Sequence, residues 1–273
     1  MDAFERIVRN IRSLKIQGAE NVAKAAIDAW SLAKDKQKAT RILSQTRPTE
    51  PMLRNVLKYL NKYGKPEELK AYIDSTLNQI AKYGSRLINN NSIVYTHCHS
   101  STVESILEEA KKQGKKFSVH ATETRPDMQG RITAARLARA HIPVTLFVDS
   151  AILSALKDAD LMLIGSDAIT SYGGIVNKIG SHAFAKLARE QEIPVYVASH
   201  ALKFDPSTIY GNLEKIEQRS DEEVWKNSPK GVHIFNNVFD FVPSTYISAT
   251  ITEFGVLTYD DLLDKIKEKY SWL

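Results

Sequence analysis

Leu161-Met162-Leu163-Ile164-Gly165-Ser166-Asp167 decides how this chain folds. Four apolar residues in succession read as a strand buried on both faces, the mark of a parallel sheet. Gly165 ends the strand and Asp167 follows at once. Open parallel sheets bind ligands beyond the carboxyl ends of their strands, so a carboxylate here is a candidate catalytic or binding group. The plainer reading of Asp167 is a turn or helix-cap residue. Further along, Gly173-Gly174 read as a turn, and Asn177-Lys178 are expected at the start of the next helix. Helix N-termini favour anions. An acid and an anion-ready helix end at one strand terminus suggest a site for a phosphorylated metabolite.

The pattern repeats on either side. Strands are predicted at 93–96, 117–121, 144–148, 195–198 and 247–251, and helices at 102–113, 131–140, 150–156, 181–191 and 259–270. Strands alternating with helices of this length build βαβ units, and right-handed crossovers make of them a Rossmann-like layered sheet. Residues 1–90 carry no strand signal. Helical spacing of Phe4, Ile7, Val8, Ile11 and Leu14 is followed by predicted helices at 19–33, 52–63 and 66–88. Gly18 and Thr46-Arg47-Pro48-Thr49 interrupt this region, and Asn89-Asn90-Asn91 closes it. The expected class is α/β: a small all-helical N-terminal domain, 1–90, then a Rossmann-like parallel-sheet domain, 91–273. The stretch 203–241 is expected to be long and irregular, the kind of loop that is often functional or interfacial.

At 273 residues, 25% charged and 43% hydrophobic, the chain has an ordinary globular composition. A net charge of +5 with scattered lysines demands no nucleic-acid groove and suits phosphate-bearing small substrates. One cysteine, Cys98, excludes an internal disulfide framework and a cysteine-rich zinc site. No signal-peptide pattern opens the chain and no apolar run approaches the ~18 residues that span a bilayer. A cytoplasmic protein with no membrane and no direct nucleic-acid partner is expected. No GxGxxG follows the first sheet strand and no phosphate-loop pattern occurs, so no cofactor is called for.

Cys98 lies just past the first sheet strand, in Thr96-His97-Cys98-His99-Ser100-Ser101-Thr102. A thiol near a helix N-terminus and flanked by histidines is placed where its pKa can be lowered. Equally, it reads as a small buried residue at a strand end. His97, Cys98 and His99 point alternately in a strand and do not converge on one metal, so no metal is expected. Cys98 and Asp167 both end strands and can face one crevice as two proton-transfer groups. Arg125, Lys178 and Lys203 follow three other strand positions, and Arg47 lies in the helical region. Each alone is an ordinary surface charge; together they suit anion binding, Arg as a bidentate partner and Lys as a point charge. Asp240 and Glu253 read as structural.

Thr96-His97-Cys98-His99-Ser100, Thr122-Glu123-Thr124-Arg125-Pro126 with Gln129-Gly130, Gly165-Ser166-Asp167-Ala168-Ile169, Gly174-Ile175-Val176-Asn177-Lys178-Ile179-Gly180 and Lys203-Phe204 occur in one order. Together they resemble the superfamily of translation initiation factor 2B regulatory subunits (alpha, beta and delta) and sugar-phosphate isomerases. That superfamily includes methylthioribose-1-phosphate isomerase and archaeal ribose-1,5-bisphosphate isomerase. The resemblance covers roughly residues 14–265 and implies a helical N-terminal domain, a Rossmann-like C-terminal domain and assembly as homodimers or homohexamers. Lys203-Phe204-Asp205-Pro206 with Gly211-Asn212-Leu213 looks closest to the ribose-1,5-bisphosphate enzyme.

The resemblance implies that Cys98 and Asp167 are the catalytic pair, which regulatory subunits generally do not keep whole. It implies an aldose–ketose isomerase acting on a phosphorylated pentose, ribose 1,5-bisphosphate to ribulose 1,5-bisphosphate. Gly18, Ala19, Arg47, Arg125, Asn177, Lys178 and Lys203 are the implied substrate contacts. The alternative is a non-catalytic regulator that senses a sugar phosphate or nucleotide, or binds the initiation factor 2 alpha subunit; methylthioribose-1-phosphate isomerase is a third reading. One departure stands out. Where the isomerases carry Arg-Gly-Ala, this chain has Gln17-Gly18-Ala19-Glu20. Losing one charge-assisted phosphate contact is worth about 1.5–3 kcal/mol.

Overall fold

The structure is a computed structural model that describes residues 2–47, 49–212, 216 and 218–273. Pro48 of the predicted break and Leu213 of the quoted tail lie outside the described residues. Five helices come first: α1 (Ala3–Arg12), α2 (Ala19–Leu32), α3 (Lys36–Ser44), α4 (Pro51–Tyr63) and α5 (Pro66–Ser85). Asp2 and Glu5 close a capping box on α1, and proline opens both α4 and α5, where its missing N–H costs nothing. Helix α3 was not predicted, because its nine residues bury only Ala39 and Leu43 and carry little apolar rhythm.

The sheet begins with β1 (Ile93–Thr96) and continues through α6 (Ser101–Lys112), β2 (Ser118–Thr122), α7 (Gln129–Arg139), β3 (Val144–Phe147), α8 (Ile152–Leu156) and β4 (Leu161–Ile164). After β4 come β5 (Ala168–Thr170), β6 (Gly174–Lys178), α9 (Ser181–Glu190), β7 (Val195–Ala198), β8 (Phe239–Pro243), β9 (Ala249–Thr252), β10 (Gly255–Leu257) and α10 (Tyr259–Lys269). The order across the large sheet is β10-β9-β7-β4-β1-β2-β3, parallel except for the β9–β10 hairpin. Counting only the parallel strands, this is the 3-2-1-4-5-6 order of doubly wound sheets, whose switch point lies between β1 and β4.

β4 shows why the opening reading holds. Leu161 and Leu163 pack with α5, α6 and α7 residues such as Ile80, Ile106 and Leu137, while Met162 and Ile164 pack on the opposite face. That second core also takes in Leu53, Leu57 and Leu60 of α4 and Ile27 of α2, so the N-terminal helices share one core with the sheet. Helix α5 lies against α6 and β9. No described helix is long and apolar enough to cross a membrane.

One expectation is corrected. The segment from Gly174 to Lys178 is not the approach to a helix but the strand β6, the centre of a small antiparallel sheet β5-β6-β8. Alternating Ile175, Val176 and Asn177 were masked by the flanking glycines, and the partner β8 lies some sixty residues downstream. Such a non-local pairing has no local signal.

His97 locks this small sheet to the large one. Its Nε2–H donates to the Ile179 carbonyl (2.8 Å) and its Nδ1 accepts from the Thr122 hydroxyl (2.7 Å). Gly180, at φ +98°, passes so close that a Cβ there would lie 3.2 Å from His97 Nε2. Burial pushes His97 down to about 4, with Lys178 adding to the effect. A histidine kept neutral in the fold but titrating near 6.5 when unfolded gives stability that is present above pH 6.5 and lost as pH falls toward 4, up to about 3 kcal/mol. Chemical denaturation at a series of pH values should show a steeper acid-side loss for the native chain than for His97→Gln. Equal slopes would remove His97 from this role.

Candidate active site

Strand β1 runs into Cys98, and strand β4 into Asp167, on the two sides of the switch point. Their loops meet because Gly165 leaves room: a Cβ there would stand 2.6 Å from the hydroxyl of Ser100, the N-cap of α6. A cavity of about 620 Å³ opens above them. That volume suits a ligand the size of a phosphorylated sugar.

Of the predicted residues, Gly18, Ala19, Arg47, Cys98, Asp167, Asn177, Lys178 and Lys203 all line this cavity. Arg125 does not. Its side chain is exposed and donates to the Val224 carbonyl (3.0 Å), while its backbone N–H donates to Asp149 (2.7 Å). Being just past a strand end is not enough: β2 lies one strand away from the switch point, and the chain turns Arg125 toward the 3-10 turn at Asp221–Glu223. The cationic place is taken instead by Arg219, which sequence reasoning missed inside the irregular stretch.

Cys98 is held under strain. It has φ +70°, a conformation that costs a non-glycine residue ~1–2 kcal/mol. Its backbone N–H donates to the Thr124 hydroxyl (2.9 Å), and its thiol donates to Gln129 Oε1 (2.8 Å). The thiol pKa is not lowered as its sequence position suggested. Burial pushes it up to about 12, Asp167 adds to the rise, and Lys178 pulls against it. His97 does not offset this, because burial keeps His97 itself neutral.

Asp167 donates its backbone N–H to the Val176 carbonyl (2.8 Å), which continues the β5–β6 pairing. Its carboxyl is raised by burial, while Lys203, Lys178 and Arg47 draw it back. Those cations are fixed by partners. Lys178 Nζ lies 3.1 Å from Asp127 Oδ2, which Arg219 also contacts at 3.2 Å. Lys203 donates to the Ser166 carbonyl (2.6 Å), and Arg47 pairs with Glu50 (2.9 Å). Asn177 Nδ2 donates to Ser181 Oγ (2.9 Å). The N-terminus of α9, expected to serve an anion, is occupied by Asp240, which accepts from Gly180 N (2.7 Å) and His182 N (3.4 Å).

Six cationic side chains (Lys15, Arg47, Arg136, Lys178, Lys203, Arg219) line the cavity against three carboxylates (Glu20, Glu50, Asp167). The excess favours a ligand with more than one negative charge. Among the described residues no group of three or more His, Cys, Asp or Glu side chains is arranged to hold a metal ion. Chemically, the site offers two proton-bearing groups of differing acidity within one field of positive charge.

The chain is similar to known proteins over nearly its whole length. Residues 8–259 match the model of the initiation factor 2 subunit family. The ribose 1,5-bisphosphate isomerase of Methanocaldococcus jannaschii is 36% identical over 100% of this chain and 97% of its own length. That of Thermococcus kodakarensis is 34% identical over 97% of this chain and 94% of its own. The crystal structure of a protein described as translation initiation factor eIF-2B from Pyrococcus horikoshii OT3 superimposes with a TM-score of 0.82 at 27% identity, covering 94% of this chain and 98% of that one. With the family model spanning most of the chain and such relatives spanning nearly all of it, this protein belongs to the initiation factor 2 subunit family.

Proposed function

We propose that this protein is a sugar-phosphate isomerase that converts ribose 1,5-bisphosphate to ribulose 1,5-bisphosphate. One observation carries the reading: the Cys98 thiol and the Asp167 carboxyl line the same strongly cationic cavity. Relatives of that name at 34% and 36% identity over nearly the whole chain support the substrate.

A sugar 1-phosphate is closed as a ring, so C1–O4 must break before an aldose–ketose shift can finish. Asp167, raised by burial, is the proton donor to the departing ring oxygen. Cys98, as the thiolate, takes the proton from C2, an enediol-type intermediate forms, and the same proton returns to C1 as the now ionised Asp167 takes the proton of the C2 hydroxyl. The pair is coupled in the useful direction. The Asp167 charge holds the thiol up, and Lys178 pulls it down. Once Asp167 carries its proton, the thiolate beside Lys178 is easier to form. Asn177, Lys178, Lys203 and Arg47 fix the phosphates and hydroxyls, as buried groups do best when already held by the fold.

Two predictions follow the chemistry. Cys98→Ser and Asp167→Asn should each lower kcat by ~100-fold or more in an assay on ribose 1,5-bisphosphate. Because burial disfavours the Asp167 charge, Asp167→Asn should also unfold ~2 °C higher or more at pH 8, measured by calorimetry. A variant that keeps the native rate sinks the acid–base assignment. The second concerns pH. In Asp167→Asn the residual turnover depends on the thiolate alone, and with burial pushing the thiol up, its kcat/KM should still be climbing at pH 9. A plateau reached by pH 7 would mean that Cys98 is not the base.

A further inference from the structure

A second cavity, of about 470 Å³, is walled in part by Leu202 of the 3-10 turn Ala201–Lys203, whose Lys203 lines the catalytic cavity instead. Five aromatic side chains stand in its wall: Tyr59 of α4, Tyr72 of α5, Phe254 of the β9–β10 turn, and Tyr270 and Trp272 just past α10. Ring centroids lie 5.5 Å apart for Tyr59 and Trp272, 5.8 Å for Tyr270 and Trp272 and 6.5 Å for Tyr72 and Tyr270, at interplanar angles of 71°, 63° and 90°. Rings that meet at such angles do not cover one another's faces, and the face of an aromatic ring is its negative side.

Behind the rings lies Glu253, whose side chain is 2% exposed. Oε1 accepts from the Tyr270 hydroxyl (2.6 Å), which is itself 2.5 Å from the Tyr72 hydroxyl, and Oε2 accepts from Ala201 N–H (3.0 Å). These donors are all neutral. A buried carboxylate is ordinarily paired with a cation. Among the described residues no lysine or arginine lies within ion-pair distance of Glu253. The one basic group that does, His200 with Nδ1 3.2 Å from Oε1, is pushed down by burial and so is a poor counter-charge. The Glu253 charge reaches the cavity wall, where, after burial, it is the strongest influence raising Tyr72 and Tyr270. Glu68 and Lys269, the other charged groups of the wall, are exposed and already paired, with Lys65 (2.8 Å) and Glu268 (2.9 Å). The charge left without a counter-ion is therefore negative.

We propose that this cavity is a binding site for a small organic cation, an alkylated ammonium that packs among the aromatic rings with Glu253 as the charge behind them. Uncovered ring faces and a carboxylate without a counter-ion select such a group over a neutral molecule of the same shape, and the volume suits a small ligand. The site goes beyond the proposed isomerase reaction and does not depend on it.

Choline and 3,3-dimethyl-1-butanol have the same shape and differ in the charged nitrogen, which is carbon in the alcohol. With the full chain followed by the 15N-labelled tryptophan indole signals, and the Trp272 signal assigned from Trp272→Phe, choline should move that signal and bind tenfold or more tighter than the alcohol. Equal affinities, or a Trp272 signal that choline leaves in place, overturn the proposal. Glu253→Gln keeps an acceptor for Ala201 N–H and should bring choline down to the affinity of the alcohol; native choline affinity in that variant overturns it. Should Glu253→Gln fail to fold, Tyr59→Leu, which keeps an apolar side chain but removes one ring, should weaken choline more than the alcohol, and an equal effect on both overturns it. None of these readouts involves turnover, so failure of the proposed reaction and failure of this site are told apart.

Discussion

The parallel pairing of β1 with β4, Val94 opposite Leu161 and Tyr95 opposite Met162, is the constraint on which the site depends. These two strands leave the switch point with their helices on opposite faces, so nothing fills the space above their carboxyl ends. Cys98 and Asp167 stand at those ends because they follow Thr96 and Ile164, the last residues of the two strands, by two and three positions. The strand interiors explain why the geometry is rigid. β4 is buried along its whole length, and a slip of one residue would exchange Leu161 and Leu163 with Met162 and Ile164 between two separate cores. The register is thus defended by packing on both sides, and the positions of the thiol and carboxyl inherit that precision.

Burial has two consequences at once. It raises Asp167 and Cys98, and it lowers His97. All three shifts favour the uncharged form, which is the ordinary response of ionisable groups removed from water. The basic side chains of Lys178, Arg47 and Lys203 are held by Asp127, Glu50 and the Ser166 carbonyl. The result is a cavity whose fixed charge is positive while burial disfavours charge on its thiol and its carboxyl. A multiply charged anion finds that field already set before it binds.

Much of this was legible in the sequence, and for identifiable reasons. β4 and β7 were readable to the residue because buried parallel strands are short apolar runs bounded by turns, and β1 because its run is β-rich. Cys98 and Asp167 were readable because topology alone puts strand ends together. What was not legible depends on distant pairing or on burial. Lys178 belongs to β6 only because Phe239–Pro243 pairs with it, and Arg219 reaches the cavity only because Asp127 draws it there. The rise of the Cys98 thiol depends on how deeply the loop is covered, which neighbouring histidines do not reveal. Asp240 was rightly read as structural, yet its specific role as the cap of α9 required the fold.

The helical segment completes the site as well as the core. Asn55 of α4, buried, donates to the carbonyls of Leu202 (2.8 Å) and Phe204 (2.7 Å), one on each side of Lys203. A buried amide that satisfies two carbonyls is costly to replace with an apolar side chain, which would leave both unpaired. This clamp fixes the turn Ala201–Lys203, whose lysine acts on Asp167 and which His200 caps. Arg47, from the same segment, adds its charge to the field on Asp167. This side of the cavity is therefore built from helices on one hand and a sheet loop on the other.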